Sequence, residues 1–258
     1  MSQKKATATN AQRELIVSGR NLGHAKNILR VLELRYEAFS NYKIRSVFGF
    51  VQKFTPFYGG RGYNKPNALS FEQLDILRQN NISLDLVLSN HFFSQEAYKK
   101  TWPLLEQLAL PGNGVICLND DLTRMIKRDF PGYTRRLSAI REVDTLEGIE
   151  SALELYDFVT LHIDQNDRIE FLQSIPWKEK VIVFGNGRCG YPCRNRSCYL
   201  GISEVMFGKQ ETSKCSKGGQ SKKKSPMEED PYYAFDLEDP RFDGFSTFKL
   251  IGDIPPPL

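Results

Sequence analysis

Short apolar runs alternate with amphipathic stretches along most of this chain. Glu14-Leu15-Ile16-Val17 is ended by Ser18-Gly19. Leu22, Ala25, Ile28, Leu29, Leu32 and Leu34 then predict a helix over about 22–38, capped by Asn21. Arg45 to Val51 reads as the next strand and leads into the loop Tyr58-Gly59-Gly60-Arg61-Gly62. Ser70 with Gln73 three residues on resembles a capping box, and Phe71, Leu74 and Leu77 continue that helix. Leu84 to Leu88 is a strand ending at Ser89-Asn90-His91, and Ser94 opens a helix reaching about Leu108.

The alternation repeats four more times. Strands are predicted at Gly114–Leu118, Arg136–Ile140, Phe158–Ile163 and Val181–Phe184. The helices between them start after Asn119, at Thr145 and at Asp167. Thr247-Phe248-Lys249-Leu250-Ile251 is an eighth strand candidate. Regular strand–helix alternation favours right-handed βα units on a parallel sheet. Eight such strands in 258 residues predict an α/β fold, a (β/α)8 TIM-type barrel. Pro255-Pro256-Pro257-Leu258 leaves no room for a full last helix, so an incomplete barrel is expected. A doubly wound open sheet is the alternative, but no GxGxxG follows the first strand.

Two regions break the pattern. Residues 1–12 are polar and predicted to be disordered, which leaves 13–258 as a single barrel domain. Residues 209–245 read as a long insertion before the last strand. Lys214 to Lys224 carries five lysines, and Glu228 to Asp243 carries seven acidic residues with one arginine. A solvated excursion is the expectation, with a phosphate- or RNA-contacting arm as the alternative.

Composition narrows the class only modestly. Apolar residues make up 40% of the chain, enough for a sizeable core, and the net charge of +4 does not by itself imply nucleic acid. No run approaches the roughly 18 to 20 apolar residues of a membrane span, and the N-terminus lacks the apolar segment of a signal peptide. A cytoplasmic protein without a membrane partner is expected. There, clustered cysteines point to metal binding or catalysis rather than disulfides.

Such a cluster is present. Of the five cysteines, Cys189, Cys193, Cys198 and Cys215 fall within 27 positions, spaced C-x3-C-x4-C-x16-C. Four thiolates make a closed site for zinc or for an iron–sulfur cluster. Paired C-x2-C knuckles, usual for structural zinc, are absent, and the uneven spacing after a strand suits a cluster better. Arg188, Arg194 and Arg196 would offset thiolate charge. Cys117, in mid-strand, reads as a small buried hydrophobe.

In a barrel of this kind the site lies where strands end. His91, Arg141 and His162 are the catalytic candidates there, for positioning an anion or moving protons. Structural roles compete for each histidine. Asn90, Asn119 to Asp121, Glu142, Asp164 and Asn186 share these ends, where solvation and capping also use polar residues. A peptidase has no motif support, since HExxH and GxSxG are both absent.

Several segments resemble the collagenase-like proteins of peptidase family U32. They include the run from Asn90, Leu137-Ser138-Ala139-Ile140, Tyr156-Asp157-Phe158-Val159-Thr160-Leu161, Phe171-Leu172 and Asn186-Gly187-x-Cys189-x3-Cys193. Glu14-Leu15-Ile16-Val17 and Phe248-Lys249-Leu250-Ile251-Gly252 resemble that family's first and last barrel segments, so the likeness spans about 14–252. The resemblance implies a TIM-type barrel whose cysteines hold a [4Fe–4S] cluster. It also implies oxygen-independent hydroxylation of an RNA base or of a small aromatic (quinone) precursor, although some members are named as proteases. Cys189 and Cys193 match the family's positions, and Cys198 and Cys215 complete the set by proximity. The family spaces its later cysteines more widely, places basic or histidine residues after the second, and often continues beyond the barrel. A short form of this kind implies a partner subunit. A zinc-stabilised RNA-binding protein and a U32-type peptidase are the alternatives.

Overall fold

A computed structural model describes residues 13–188, 191, 193, 195–213 and 233–252. Eight parallel strands close on themselves: β1 (Glu14–Ser18), β2 (Lys43–Gly49), β3 (Ser83–Leu88), β4 (Gly114–Cys117), β5 (Thr134–Leu137), β6 (Phe158–Thr160), β7 (Val181–Phe184) and, last in the ring, β10 (Thr247–Leu250). Closure comes from β1 pairing in parallel with both β2 and β10, which excludes the open sheet. Helices α1 (Ile28–Arg35), α2 (Phe71–Gln79), α3 (Gln95–Leu108), α4 (Asp120–Asp129), α5 (Leu146–Leu153) and α6 (Ile169–Ser174) lie between successive strands, giving a (β/α)8 TIM-type barrel.

Most helix starts follow the cap chemistry of the sequence. Ser70 and Gln73 form a reciprocal capping box, and Ser94, Asn119 and Thr145 each accept a first-turn N–H. The first helix is the exception. Asn21 adopts a left-handed conformation and makes no cap bond; a short 3-10 turn, Leu22–His24, intervenes, and Asn27 caps α1 by accepting from Arg30 N at 3.0 Å. Gly23 explains the break. A Cβ there would stand 2.3 Å from the carbonyl oxygens of Pro66 and Ala68, so the chain is pinned to the β2–α2 connection before the helix begins. β5 and β6 are also shorter than their apolar runs suggest, because 3-10 turns at Ala139–Arg141 and Ile163–Asp167 take over their C-terminal ends.

Outward-facing residues of the strands, such as Leu15, Val47, Leu86, Val115, Val159, Val183 and Phe248, pack against the helices in the main core. Cys117 belongs to it, fully buried, and burial pushes its thiol up to about 12, which leaves it inert. Inward-facing residues form layers drawn from alternate strands. Following the register around the ring puts Ile16, Asp85, Arg136 and Ile182 in one layer. Phe48, Ile116, Thr160 and Lys249 form the next towards the C-terminal mouth, followed by Ser18, Val87, Ser138 and Phe184.

The last connection is elaborated. α7 (Ser197–Met206) follows the cysteine segment, and a two-residue ladder joins β8 (Asn186–Gly187) to β9 (Tyr233–Ala234). The acidic stretch beyond Tyr233 is not a solvated excursion: Leu237, Phe242 and Phe245 are buried, and Phe242 meets Phe248 edge-on at 5.6 Å. The five lysines of 214–224, and residues 1–12, lie outside the described residues. No helix among the described residues is long and apolar enough to cross a membrane.

Candidate functional site

The C-terminal ends of β3, β4 and β5 meet around a cleft of about 510 Å³ lined by His91, Asn119, Asp120, Arg124, Ile140 and Arg141 among others. Two of the three expected catalytic residues, His91 and Arg141, therefore share one site. Each reaches it from a turn that follows its strand. Asn90, one residue before His91, is fully buried and donates to the carbonyls of Pro56, Tyr58 and Ser203. Asn119 caps α4 and donates to the carbonyl of His91 at 3.1 Å.

His91 is oriented from above by α7. Its Nδ1 lies 2.8 Å from Oγ of Ser203, and its backbone N–H donates to the same oxygen at 3.4 Å. Burial, helped by the Arg141 charge, lowers its pKa, so the ring is neutral at pH 7. With Nδ1 engaged, Nε2 is the nitrogen left to accept or release a proton.

Arg141 is not free to act as an isolated anion anchor. Its Nη2 donates to Oδ1 of Asp120 at 2.6 Å and also to the carbonyl of Leu118. Asp120 accepts in addition from Tyr156 at 2.9 Å. Burial opposes ionisation of Asp120, but these hydrogen bonds prevail and hold its pKa below the usual value. Arg124 pairs with Asp121 at 3.0 Å. The cleft thus presents two guanidinium–carboxylate pairs beside one neutral imidazole, a surface suited to a polar ligand of small net charge.

His162 does not join this cleft. It is buried, caps the 3-10 turn after β6, and accepts at Nδ1 from the N–H of Asp164 at 3.3 Å. Burial and then the Arg196 charge lower its pKa, so the neutral form that accepts this bond dominates at pH 7. Nδ1 also lies 3.2 Å from Oδ1 of Asp164.

The start of α7 is held at the same end of the barrel. Arg196, one residue before α7, donates to Glu142 at 2.9 Å and to Asp164. Its charge is thereby committed to carboxylates rather than to the thiols it adjoins in sequence. Glu142 takes a left-handed conformation (φ 54°) to end the turn after β5. Cys193 and Cys198 are half-buried, and Cys193 Sγ donates to the carbonyl of Asn195 at 2.9 Å. Cys189 and Cys215 lie outside the described residues. Among the described residues no three His, Cys, Asp or Glu side chains converge as metal ligands. Cys193 and Cys198 would supply two of the four thiols that zinc or a four-iron cluster takes.

Sequence reasoning passed over Ser203, whose only signal is a polar residue in an otherwise mostly apolar helix. It also passed over the pair formed by Asp85 and Arg136 inside the barrel, fully buried at 2.5 Å. Asp85 interrupts an apolar strand at an inward position, and that parity was available.

No protein-family model matches the chain, and neither does any curated protein sequence. Among solved structures it is similar to the U32 peptidase Mk0906, at 13% identity and a TM-score of 0.59 over 99% of this chain and 98% of that one. A GH18 chitinase from Pseudoalteromonas aurantia is matched over 93% of both chains at 12% identity and a TM-score of 0.43. At this identity the U32 peptidase speaks for the shared barrel and not for the site residues.

Proposed function

We propose that this chain is a U32-like barrel enzyme, or a subunit of one, that takes a small polar ligand into the His91–Arg141 cleft. The cysteine segment would hold a [4Fe–4S] cluster beside it, and the reaction would be an oxygen-independent hydroxylation or related redox modification. An RNA base or a small aromatic precursor is the substrate class. The observation that carries this reading is the anchoring of α7. Ser203 binds His91 and Asn90, and Arg196 binds Glu142 and Asp164, so α7, which carries Cys198, is tied to the face that holds the cleft. A bound cluster supplies one-electron transfer. The chain's own contribution is a neutral His91 oriented for proton movement at Nε2 and an Arg141–Asp120 pair that positions polar groups.

Iron and sulfide analysis with a visible spectrum, on protein purified without oxygen, tests this. About four irons and four sulfides per chain support the redox reading. One zinc per chain supports the zinc-stabilised, RNA-binding alternative, and neither metal overturns both. A peptidase reading draws on the name of the solved neighbour and on the Ser203–His91 hydrogen bond, since a hydroxyl within reach of an imidazole is how serine nucleophiles are activated. Ser203 is fully buried, which favours a positioning role. Labelling of Ser203 by a fluorophosphonate would reverse that judgement.

A further inference from the structure

The inside of the barrel holds a lysine that the cleft chemistry does not use. Lys249 points inward from β10, in the layer just above Asp85 and Arg136. Its Nζ lies 4.4 Å from the ring centroid of Phe48 and 5.7 Å from that of Phe184. Among the described residues it forms no salt bridge and no hydrogen bond. The Asp85 carboxylate below is paired instead with Arg136 at 2.5 Å and with Ser46 at 2.5 Å. The residue is only 7% exposed. An amine so placed is a strongly desolvated base, in an environment that favours its neutral, nucleophilic form.

The layer above the amine is not sealed from the mouth. Val87 and Phe184 in the layer above it, and Ile251 beyond β10, are inward-facing yet only half-buried. The small side chains of Ser18 and Ser138 complete that layer. The approach is positively biased. The Arg61 and Arg136 charges both act on Lys249, against the single carboxylate of Asp85, which Arg136 already neutralises. Arg61 stands over the Phe50 ring at 5.1 Å and lines a second cleft, of about 210 Å³, at the ends of β1 and β2.

We propose that Lys249 is the nucleophilic lysine of a second site, in the barrel axis, that forms an imine with a small carbonyl compound carrying a carboxylate, of the 2-oxo acid class. The neutral amine attacks the carbonyl carbon. A C–N bond forms, the carbonyl π pair moves onto oxygen and takes up a proton, and the carbinolamine then expels water to give the iminium. No oxidant or reductant is consumed. The apolar walls exclude water from the imine, and Arg61 faces the carboxylate. Burial, opposed by Asp85 and reinforced by Arg136 and Arg61, brings the Lys249 pKa to about 8 from 10.5. At pH 7.5 that leaves on the order of 10²-fold more free amine than an ordinary lysine carries.

The full chain incubated with pyruvate and cyanoborohydride at pH 7.5, then digested and mapped by mass spectrometry, tests the site. The expected result is a reduced adduct on Lys249, formed on the order of 10²-fold faster than on any surface lysine. It should saturate with pyruvate and form more slowly with acetone, a methyl ketone of similar size that has no carboxylate. Labelling spread over surface lysines with Lys249 unmodified would overturn the proposal, and so would equal rates with the two probes for its anionic part. Mapping on the unmodified chain needs no variant to fold. Lys249→Met, of similar length, should lose the adduct while Arg61→Gln slows it. The readout involves no metal, so it stands apart from the iron–sulfur reading.

Discussion

Oγ of Ser203 lies 2.8 Å from Nδ1 of His91, although the two are 112 residues apart in sequence. The contact joins α7 to the end of β3 and fixes which imidazole nitrogen faces the cleft. Ser203→Ala removes the partner of both His91 Nδ1 and His91 N–H in a buried place, which should cost about 1–3 kcal/mol. It should also admit water to the ring and raise the His91 pKa towards the ordinary 6.5, since burial is what lowers it. Urea titration and the imidazole proton shifts measure the two effects. A variant with unchanged stability and an unchanged His91 titration would show that α7 is held elsewhere.

The Asp85–Arg136 pair sets the barrel's interior charge. Arg136→Met strands the Asp85 carboxylate without its cation, and breaking such a buried pair typically costs about 3–5 kcal/mol. Replacing both partners, Asp85→Leu with Arg136→Met, should recover most of the loss because no uncompensated charge remains. Gly114→Ala should resemble the single mutant. Its Cβ would stand 2.1 Å from Arg136 Nη1 and 2.3 Å from Asp85 Oδ1, so the pair exists only because β4 begins with glycine. Denaturation midpoints of the four proteins decide it. A double mutant no more stable than Arg136→Met would contradict the argument.

The barrel was legible because its signals are local. Ser70 and Gln73 cap α2, Ser94 caps α3 and Thr145 caps α5 with no help from distant residues. That His91 and Arg141 line one cleft was legible because strand ends gather at one face once the topology is known. What stayed hidden depends on contacts remote in sequence. Asn21 yields its cap to Asn27 because Gly23 must pass the backbone of 66–68. His162 looks like His91 in sequence, but the short β6 turns it inward as a cap. Arg196, adjacent to the cysteines, spends its charge on Glu142 and Asp164, 54 and 32 residues away.

His162 makes stability depend on pH with a definite sign. Its folded-state pKa is lowered, by burial first and the Arg196 charge second, so the unfolded chain binds the proton more readily. The contribution is fully present above about 6.5 and is lost as pH falls from there through the folded value. His91 acts with the same sign. Unfolding free energy should therefore drop as pH falls below about 6.5. His162→Asn should flatten that slope in part. A slope that the variant leaves unchanged would place the protons elsewhere.

Arg196 offers the sharpest test of how the cysteine segment is held. Its guanidinium bridges Glu142 and Asp164 from a mostly buried position, its side chain 13% exposed. Arg196→Gln removes the charge, and Arg196→Lys keeps it but loses the planar fork that serves two carboxylates. Both should loosen the start of α7, glutamine more. Amide exchange in 197–206 should accelerate about tenfold in the glutamine variant, equivalent to about 1.4 kcal/mol of local protection. Cys193 and Cys198 should then react faster with iodoacetamide, since the anchor beside them is gone. His162 should titrate higher in the same variant, because one of the two causes lowering its pKa has been removed. The three readouts are expected to move together. Faster thiol alkylation with α7 protection unchanged would mean that Ser203 and Asn90 alone seat the helix, and that Arg196 governs only the segment before it.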